Sequence, residues 1–369
     1  MDIFKFRNPT ISTKMEQGEI INGLKTKMWV EKYRSPGEFK FVANSDVNIR
    51  EKLPIGSFVS HVDSHEIMIV ENHELTETKG RPTEVVITGR GFETFFDHRI
   101  VGSNKTFPTI DAGTEFYLGP DEVWNQAVWL ILNHISPTYL IDDTNALLYT
   151  AILTDIVDVG TAVERTIKRG SLYDRLIELL DIEALGIKII RPGSWSPLGP
   201  TDENTVVMIH QGSDLTQEVI LSYDSGELES ADYLWSNQKL KNAALITGKW
   251  VETWVSTVDA DYNRRIMYID ASDIDNSFTV APTGTDLDDV VFAMQQRGID
   301  ILLSQNDIAL TKAEVSKEGS RFSYRTDFAV GDIVTVFGDY NETSYMRISE
   351  YVEIEDENGR SGYPTLTMI

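Results

Sequence analysis

The chain has 369 residues, 41% hydrophobic and 25% charged, a globular composition with room for roughly two to four domains. Its net charge of −25 argues against a groove that grips a phosphate backbone, and the absence of cysteine removes thiolate nucleophiles, disulfides and Cys-ligated metals. No apolar run approaches the ~20 residues of a membrane helix, and the opening Met-Asp-Ile-Phe-Lys-Phe-Arg-Asn-Pro has no signal-peptide core.

Residues 1–100 read as strands. Short alternating runs occupy 20–30 and 39–43, with Ser35-Pro36-Gly37 as the turn between them. Leu53-Pro54-Ile55-Gly56 marks the next turn, and 66–71 and 84–88 are the arms of a hairpin closed near Lys79-Gly80-Arg81-Pro82. The pattern turns helical over 92–99, with Phe92, Phe95 and Phe96 on one face. Strands closed by a short helix suggest a small barrel or sandwich.

Residues 102–113 form a polar loop. A helix is predicted from Pro120, at a first-turn position, through Ile135, with Asp121 and Glu122 at its positive end. Val123, Trp124, Ala127, Val128, Ile131 and Leu132 share its apolar face. A strand follows over 151–159. The next helix spans 171–180, where Ser171 and Asp174 form a capping box and Leu172, Leu176, Ile177 and Leu180 point inward. Strand 187–191 leads to the Pro/Gly/Ser-rich stretch 192–204, where a domain boundary is expected. Strands resume at 206–210, 219–224 and 242–248. An amphipathic helix over 287–297, with Val290, Val291 and Met294 inward, should end at Gly298. Strands return at 312–317 and 322–325 and close the chain.

The chain also echoes itself. Residues 348–360, Ile-Ser-Glu-Tyr-Val-Glu-Ile-Glu-Asp-Glu-Asn-Gly-Arg, match 69–81, Ile-Val-Glu-Asn-His-Glu-Leu-Thr-Glu-Thr-Lys-Gly-Arg, without a gap. Upstream, Ile55-Gly56-Ser57-Phe58-Val59 is echoed by Val330-Gly331-Asp332-Ile333-Val334. Shared turn chemistry would explain two such hairpins, and so would one β-module used twice; the spacing suits a duplicated domain, not a solenoid.

Catalytic and metal signatures are weak. His61, His65 and His73 are close in sequence, but four residues of strand span roughly 13 Å, too far for one metal. Asp259, Asp261 and Asn263 start like a calcium loop ending at Asp270, yet Arg264 stands where the turn glycine belongs. Asp270, Asp273 and Asp275 read as a second solvated acidic turn. Nucleophile-elbow, phosphate-loop and His-Glu-x-x-His patterns do not occur. The residues give no cofactor, metal or catalytic assignment.

Several stretches together resemble the tail-hub (baseplate hub, minor tail) proteins of long-tailed siphophages. They are Trp29-Val30-Glu31-Lys32-Tyr33-Arg34-Ser35-Pro36-Gly37-Glu38-Phe39, residues 86–99 with Thr88-Gly89-Arg90-Gly91-Phe92-Glu93, Gly212-Ser213-Asp214-Leu215, Val219-Ile220-Leu221-Ser222, Lys241-Asn242-Ala243 and Phe328-Ala329-Val330-Gly331-Asp332-Ile333-Val334. The resemblance spans most of the chain in order, but says little about 105–144. It implies an α+β chain with two similar small antiparallel β-barrels of tail-tube type and helix-containing α/β insertions. The first barrel would be 1–100 and a helix-containing domain 101–204. The second barrel would be discontinuous, 205–250 and 310–369, with 251–309 inserted. It implies a non-enzymatic virion protein, a homotrimeric hub adapting a sixfold tail tube to a threefold tip around the DNA exit channel. Its partners would be the distal tail protein ring, the tape-measure protein and a downstream tail fibre or receptor-binding protein. DNA would pass without specific binding, and no membrane insertion is expected. Because the chain stops at Ile369, any cell-wall hydrolase would sit on another protein.

Trp29, Tyr33 and Phe39 are then packing groups of the first barrel, and Gly331 and Asp332 belong to the echoed motif of the second. Arg90, Arg99 and Arg347 are candidates for inter-subunit or lumen salt bridges. The alternative is a host cell-wall or receptor-binding module, in which Trp235, Trp250 and Trp254 stack on glycans.

Overall fold

A computed structural model describes residues 1–6, 17–44, 48–77, 84–101, 115–135, 150–155, 162–191, 205–236, 241–256, 264–272, 274–275, 278, 280–303, 308–315, 321–338 and 343–369. The chain forms two compact units, Met1–Ser230 with Ala313–Ile369, and Ala231–Lys312.

The first unit opens with β1 (Ile3–Phe6), β2 (Gln17–Ile20), β3 (Leu24–Lys32), β4 (Glu38–Asn44), the short helix α1 (Ile49–Lys52), β5 (Phe58–His61), β6 (Met68–Thr76) and β7 (Glu84–Gly91). Along β4 and β7 burial alternates with period two, so one face is core and the other is not. That core gathers Ile3, Trp29, Phe39, Phe41, Val59, Met68, Val70 and Ile87. The helical pattern at 92–99 is realised as a tighter 3-10 turn, Phe92–His98, with Phe92 and Phe96 buried and Phe95 half-buried.

Next come β8 (Glu115–Asp121), α2 (Val123–Ile135), β9 (Thr150–Asp155), β10 (Val163–Lys168), α3 (Leu172–Asp181), β11 (Gly186–Ile190), β12 (Thr205–His210), β13 (Ile220–Ser222) and β14 (Leu228–Ser236). Pro120 belongs to the end of β8, not to the first turn of α2. The helix starts three residues later because Asp121 closes the strand and accepts both the Glu122 N–H at 2.9 Å and Asn125 Nδ2 at 3.0 Å. At α3, Ser171 is the N-cap and its Oγ accepts the Asp174 N–H, as the sequence indicates. Helices α2 and α3 bury Leu130, Ile131, Leu172, Leu176 and Leu180 against Phe4, Phe96, Ile187 and Val207. Strand β12 is buried throughout, antiparallel to β11 and parallel to β9. The stretch 192–204 itself lies outside the described residues, but it joins these two sheet neighbours.

The second unit takes in most of β14 and of the later strand over 308–315, and contains β15 (Ala243–Thr247), β16 (Glu252–Ser256), β17 (Ile266–Asp270) and α4 (Thr285–Leu303). Strand β15 is central, antiparallel to β16 and parallel to β17. Helix α4 buries Val290 and Met294 against Ala244, Ile246 and Ile269. Gly298 does not end the helix. It sits inside α4, where a Cβ would come within 2.7 Å of Ile246 and Val255, so it serves close helix–sheet packing. Strand β18 (Ile308–Val315) leads back, and β19 (Ile333–Phe337), β20 (Thr343–Asp356) and β21 (Gly359–Met368) close the chain.

Thirteen strands are hydrogen-bonded in one sheet, in the order β14-β18-β21-β20-β3-β4-β7-β6-β5-β1-β2, with β19 added beside β20 and β13 beside β19. The fold class is α+β. Opening and closing hairpins are therefore directly joined, through β3 and β20.

Candidate assembly site at the seam of a duplicated motif

The sequence echo has a structural counterpart. In both halves a short strand, a long strand and a return strand are antiparallel neighbours: β5-β6-β7 and β19-β20-β21. Phe58 opposes Ile69 and Val59 opposes Met68; Ile333 opposes Arg347 and Val334 opposes Met346. Each long strand carries one register shift against its return strand, between Val70 and Asn72 in β6 and between Ile348 and Glu350 in β20. Each motif opens on a glycine with positive φ, Gly56 (84°) and Gly331 (106°). Gly56 donates to Val70 O at 2.7 Å and Val70 N–H returns to Ser57 O at 2.9 Å. Gly331 donates to Ile348 O at 2.8 Å and Ile348 N–H returns to Asp332 O at 2.9 Å.

This geometry corrects the sequence register by one residue. The echo aligns Ile69 with Ile348, whereas the ladders align Val70 with Ile348 and Met68 with Met346. All four of those residues are buried. Core positions decide strand register, because a slip of one residue exchanges the two faces. The echo's matched Glu71 and Glu350 are half-buried, and positions of that kind do not fix the register. The flanks differ: β5 is joined antiparallel by β1, and β19 parallel by β13.

Beyond its bulge, β20 runs antiparallel to β3, with Glu350 opposite Lys32, Glu353 opposite Trp29 and Glu355 opposite Lys27. A buried ionic node pins this seam. Arg325 Nη2 reaches Glu31 Oε1 at 2.7 Å and Glu353 Oε2 at 3.1 Å, and His61 Nε2 lies 3.1 Å from Glu353. Tyr324 OH donates to Glu31 Oε2 at 2.5 Å, Ser64 Oγ donates to Oε1, and Arg360 bridges Glu353 and Asp63, each at 2.8 Å. Burial pushes the Glu31 carboxyl up, but Arg325, Ser64 and Tyr324 more than offset this and hold it at about 2. Burial acts likewise on Glu353, where contact with His61 and Arg325 keeps the carboxyl far below its usual range. Arg325 is held there at φ 66°, a left-handed conformation uncommon for a long side chain.

A second node lies beside the first. Tyr33 OH is 2.8 Å from the carbonyls of Ala184 and Gln211 and 3.1 Å from that of His210. Arg347 stacks over the Tyr33 ring at 4.9 Å and donates to the carbonyls of Gln211 and Gly331. Asp332 Oδ1 accepts the Ser213 N–H and Oδ2 the Ala329 N–H, both at 2.7 Å. Added Cβ atoms at Gly331 and Gly186 would come within 2.6 and 2.4 Å of the Tyr33 ring.

Four of the sequence-singled residues, Tyr33, Gly331, Asp332 and Arg347, thus converge on one node. Trp29 and Phe39 stack at 6.1 Å in the first core. Arg347 is buried among backbone carbonyls of its own chain. Arg90 is exposed and makes a two-pronged pair with Glu71, while Arg99 lies over Phe95 at 4.4 Å. His61 joins the ionic node and His73 Nε2 lies 2.7 Å from Leu53 O, so those two histidines part company. Asp275 is buried and accepts the N–H groups of Lys249, Trp250 and Val251, anchoring a turn. The calcium-like residues 259–263, Asp273 and the Trp235 side chain lie outside what the structure describes.

Arg325 did not stand out in the sequence; His61 was weighed there only as a metal ligand, and Glu31 and Glu353 only as parts of the family-like motif and the echo. The available signal was Glu31 itself, at strand spacing between Trp29 and Tyr33 and so on their face. Two more carboxyls are buried nearby. Burial lifts Glu93 to about 7, although its Oε1 accepts the Ile189 N–H, and lifts Glu66 well above its usual value with Glu31 and Glu93 adding repulsion.

A family model described as Siphovirus ReqiPepy6 Gp37-like protein matches residues 12–366. Among solved structures, the tail protein from Neisseria meningitidis MC58 aligns at TM-score 0.57 and 12% identity, covering 99% of this chain and 96% of that one. The 43 kDa tail protein of prophage MuSo2 from Shewanella oneidensis aligns at 0.56 and 15%, covering 100% and 98%. The prophage tail protein gp18 from Listeria monocytogenes EGD-e aligns at 0.54 and 13%, covering 100% and 94%. At such identities these likenesses establish a shared fold. No curated protein sequence matches the chain.

Proposed function

The chain belongs to the Siphovirus ReqiPepy6 Gp37-like family of phage tail proteins, and on that premise we propose that it is the structural hub of the tail tip. Three copies would form a ring around the tail axis, each presenting two tail-tube-like β-modules, so that six similar surfaces face a sixfold tube and three subunits face the tip. The observation that carries this reading is the duplicated three-strand motif. One chain holds two copies with the same bulge, the same left-handed glycine and the same pair of backbone hydrogen bonds. A repeated module that makes a heterologous contact closes a ring when the rotation fits. The charge of −25 suits a channel through which DNA slides without sticking. The partners in this reading are the distal tail protein ring, the tape-measure protein and a downstream fibre or receptor-binding protein, and the role is structural, not enzymatic.

Native mass measurement of the purified chain, alone and with the distal tail protein, tests it. A trimer is expected, and a chain that stays monomeric in both mixtures overturns the hub. A second reading, a saccharide-binding module, draws on Trp254 and Tyr268, which are exposed on either side of Leu245 in the sheet of the second unit. Retention of a monomer on purified cell-wall glycan, lost in Trp254→Ala, would favour it.

A further inference from the structure

The two copies of the motif differ in what lies along the outer edge of the long strand. In the second copy that edge is occupied: β20 pairs with β3 from Glu350 to Glu355. In the first copy, β6 pairs with β5 only at Met68 and Ile69. Among the described residues no strand pairs with the same side of β6 over 72–76, the counterpart of 350–354. Leu75, at the place of Glu353, is exposed there. At the far end of the sheet, β14 has β18 as its one strand neighbour among the described residues. Strand β14 is also the topological counterpart of β3: β3 is reached from β7 through β4, and β14 from β21 through β18.

Resting on the ring reading above, we propose that 72–76 of β6 pairs antiparallel with β14 of a second copy of this chain, repeating between subunits the β20–β3 seam within each. The occupant follows from the duplication. The fold already contains one solution for covering this edge, and the matching strand is the one left at the rim. Open edges are usually guarded by Lys, Pro or distortion. Residues 72–76 (Asn-His-Glu-Leu-Thr) and 228–236 (Leu-Glu-Ser-Ala-Asp-Tyr-Leu-Trp-Ser) contain neither Lys nor Pro. The bulge before Asn72 is no guard either, since its twin before Glu350 precedes an occupied edge. The contact is heterologous, so each subunit gives one edge and receives one, and three subunits alternate internal and external seams around the ring.

The chain has no cysteine, which leaves a clean background for disulfide trapping. Full-length protein carrying Glu74→Cys and a second cysteine scanned through 229–235 is mildly oxidised and run with and without reductant. Variants whose reduced form melts with the parent are compared. Directly opposed Cβ atoms in an antiparallel pair are about 4.5–5.5 Å apart, and successive residues face opposite sides. The expected result is a reductant-sensitive ladder ending at three chains, strong at alternate scanned positions and weak between. A trimeric mass without crosslinks at any position overturns the strand pairing and leaves the hub standing. A monomeric mass without crosslinks overturns both, and a ladder ending at two chains overturns ring closure.

Discussion

Replacing Arg325 by methionine removes the cation that two buried carboxylates share. Glu31 is held at about 2 against an ordinary 4.5, so its charged form is favoured by roughly 3 kcal/mol at ~1.36 kcal/mol per pH unit. Arg325 supplies only part of that, alongside Ser64 and Tyr324, but its loss also takes one partner from Glu353, which keeps His61 and Arg360. Breaking a buried pair in this way typically costs about 3–5 kcal/mol. A loss of roughly 3 kcal/mol at pH 7 is therefore expected from urea melts. The pH profile is the sharper readout. In the native chain, Glu31 binds fewer protons folded than unfolded between about 4.5 and 2, so its stabilisation is lost as pH falls through that window. Without Arg325, the burial of Glu31 is no longer offset by its cation, so its carboxyl moves up and its share of the acid loss shrinks. Below pH 5, Arg325→Met should thus lose less stability on acidification than the parent, and Arg325→Lys should follow the parent. An Arg325→Met protein within ~1 kcal/mol of the parent at pH 7, with the parent's acid loss intact, would refute the ionic role of the seam.

The remaining predictions concern the neighbours of that seam. Glu93 has the opposite sign: its folded carboxyl lies at about 7, so its stabilisation is full below 4.5 and lost as pH rises through 7. Glu93→Gln keeps an acceptor for the Ile189 N–H and should gain about 2 kcal/mol at pH 8 with no gain at pH 4, measured by chemical melts; equal effects at both pH values would contradict this. Tyr33→Phe keeps the ring under Arg347 but removes the hydroxyl from among three carbonyls, and should cost about 1–3 kcal/mol. A thermal midpoint unchanged from the parent would show that the hydroxyl does not hold those loops together.

Local chemistry was enough for much of this chain. Strand periodicity marked β3, β4, β6 and β7, because alternation of buried and open residues is a property of neighbouring positions. Ser171 and Asp174 disclosed the start of α3 for the same reason: a cap is made within one turn. The ordered motifs likewise carry the likeness to siphophage tail proteins in the letters alone. Gly298 and Pro120 misled because their backbone options suit several settings, and only contact with Ile246 and Val255 in one case, and the Asp121 cap in the other, decides among them.

The echo between 69–81 and 348–360 was legible as similarity, since turn and charge patterns survive in a string of letters. Its true register was not, because the ladder is set by which side chains enter the core. The ionic node was hidden for a related reason: Glu31 and Arg325 are 294 positions apart, and nothing in either local sequence reveals the other. Sequence alone therefore determined the class of the protein and showed an echo whose meaning, shared turns or a repeated module, it left open. The tertiary structure decided how the two copies are joined, through β3 and β20, and which edge of the first copy has no strand partner among the described residues, because strand pairing depends on approach in space rather than on order along the chain.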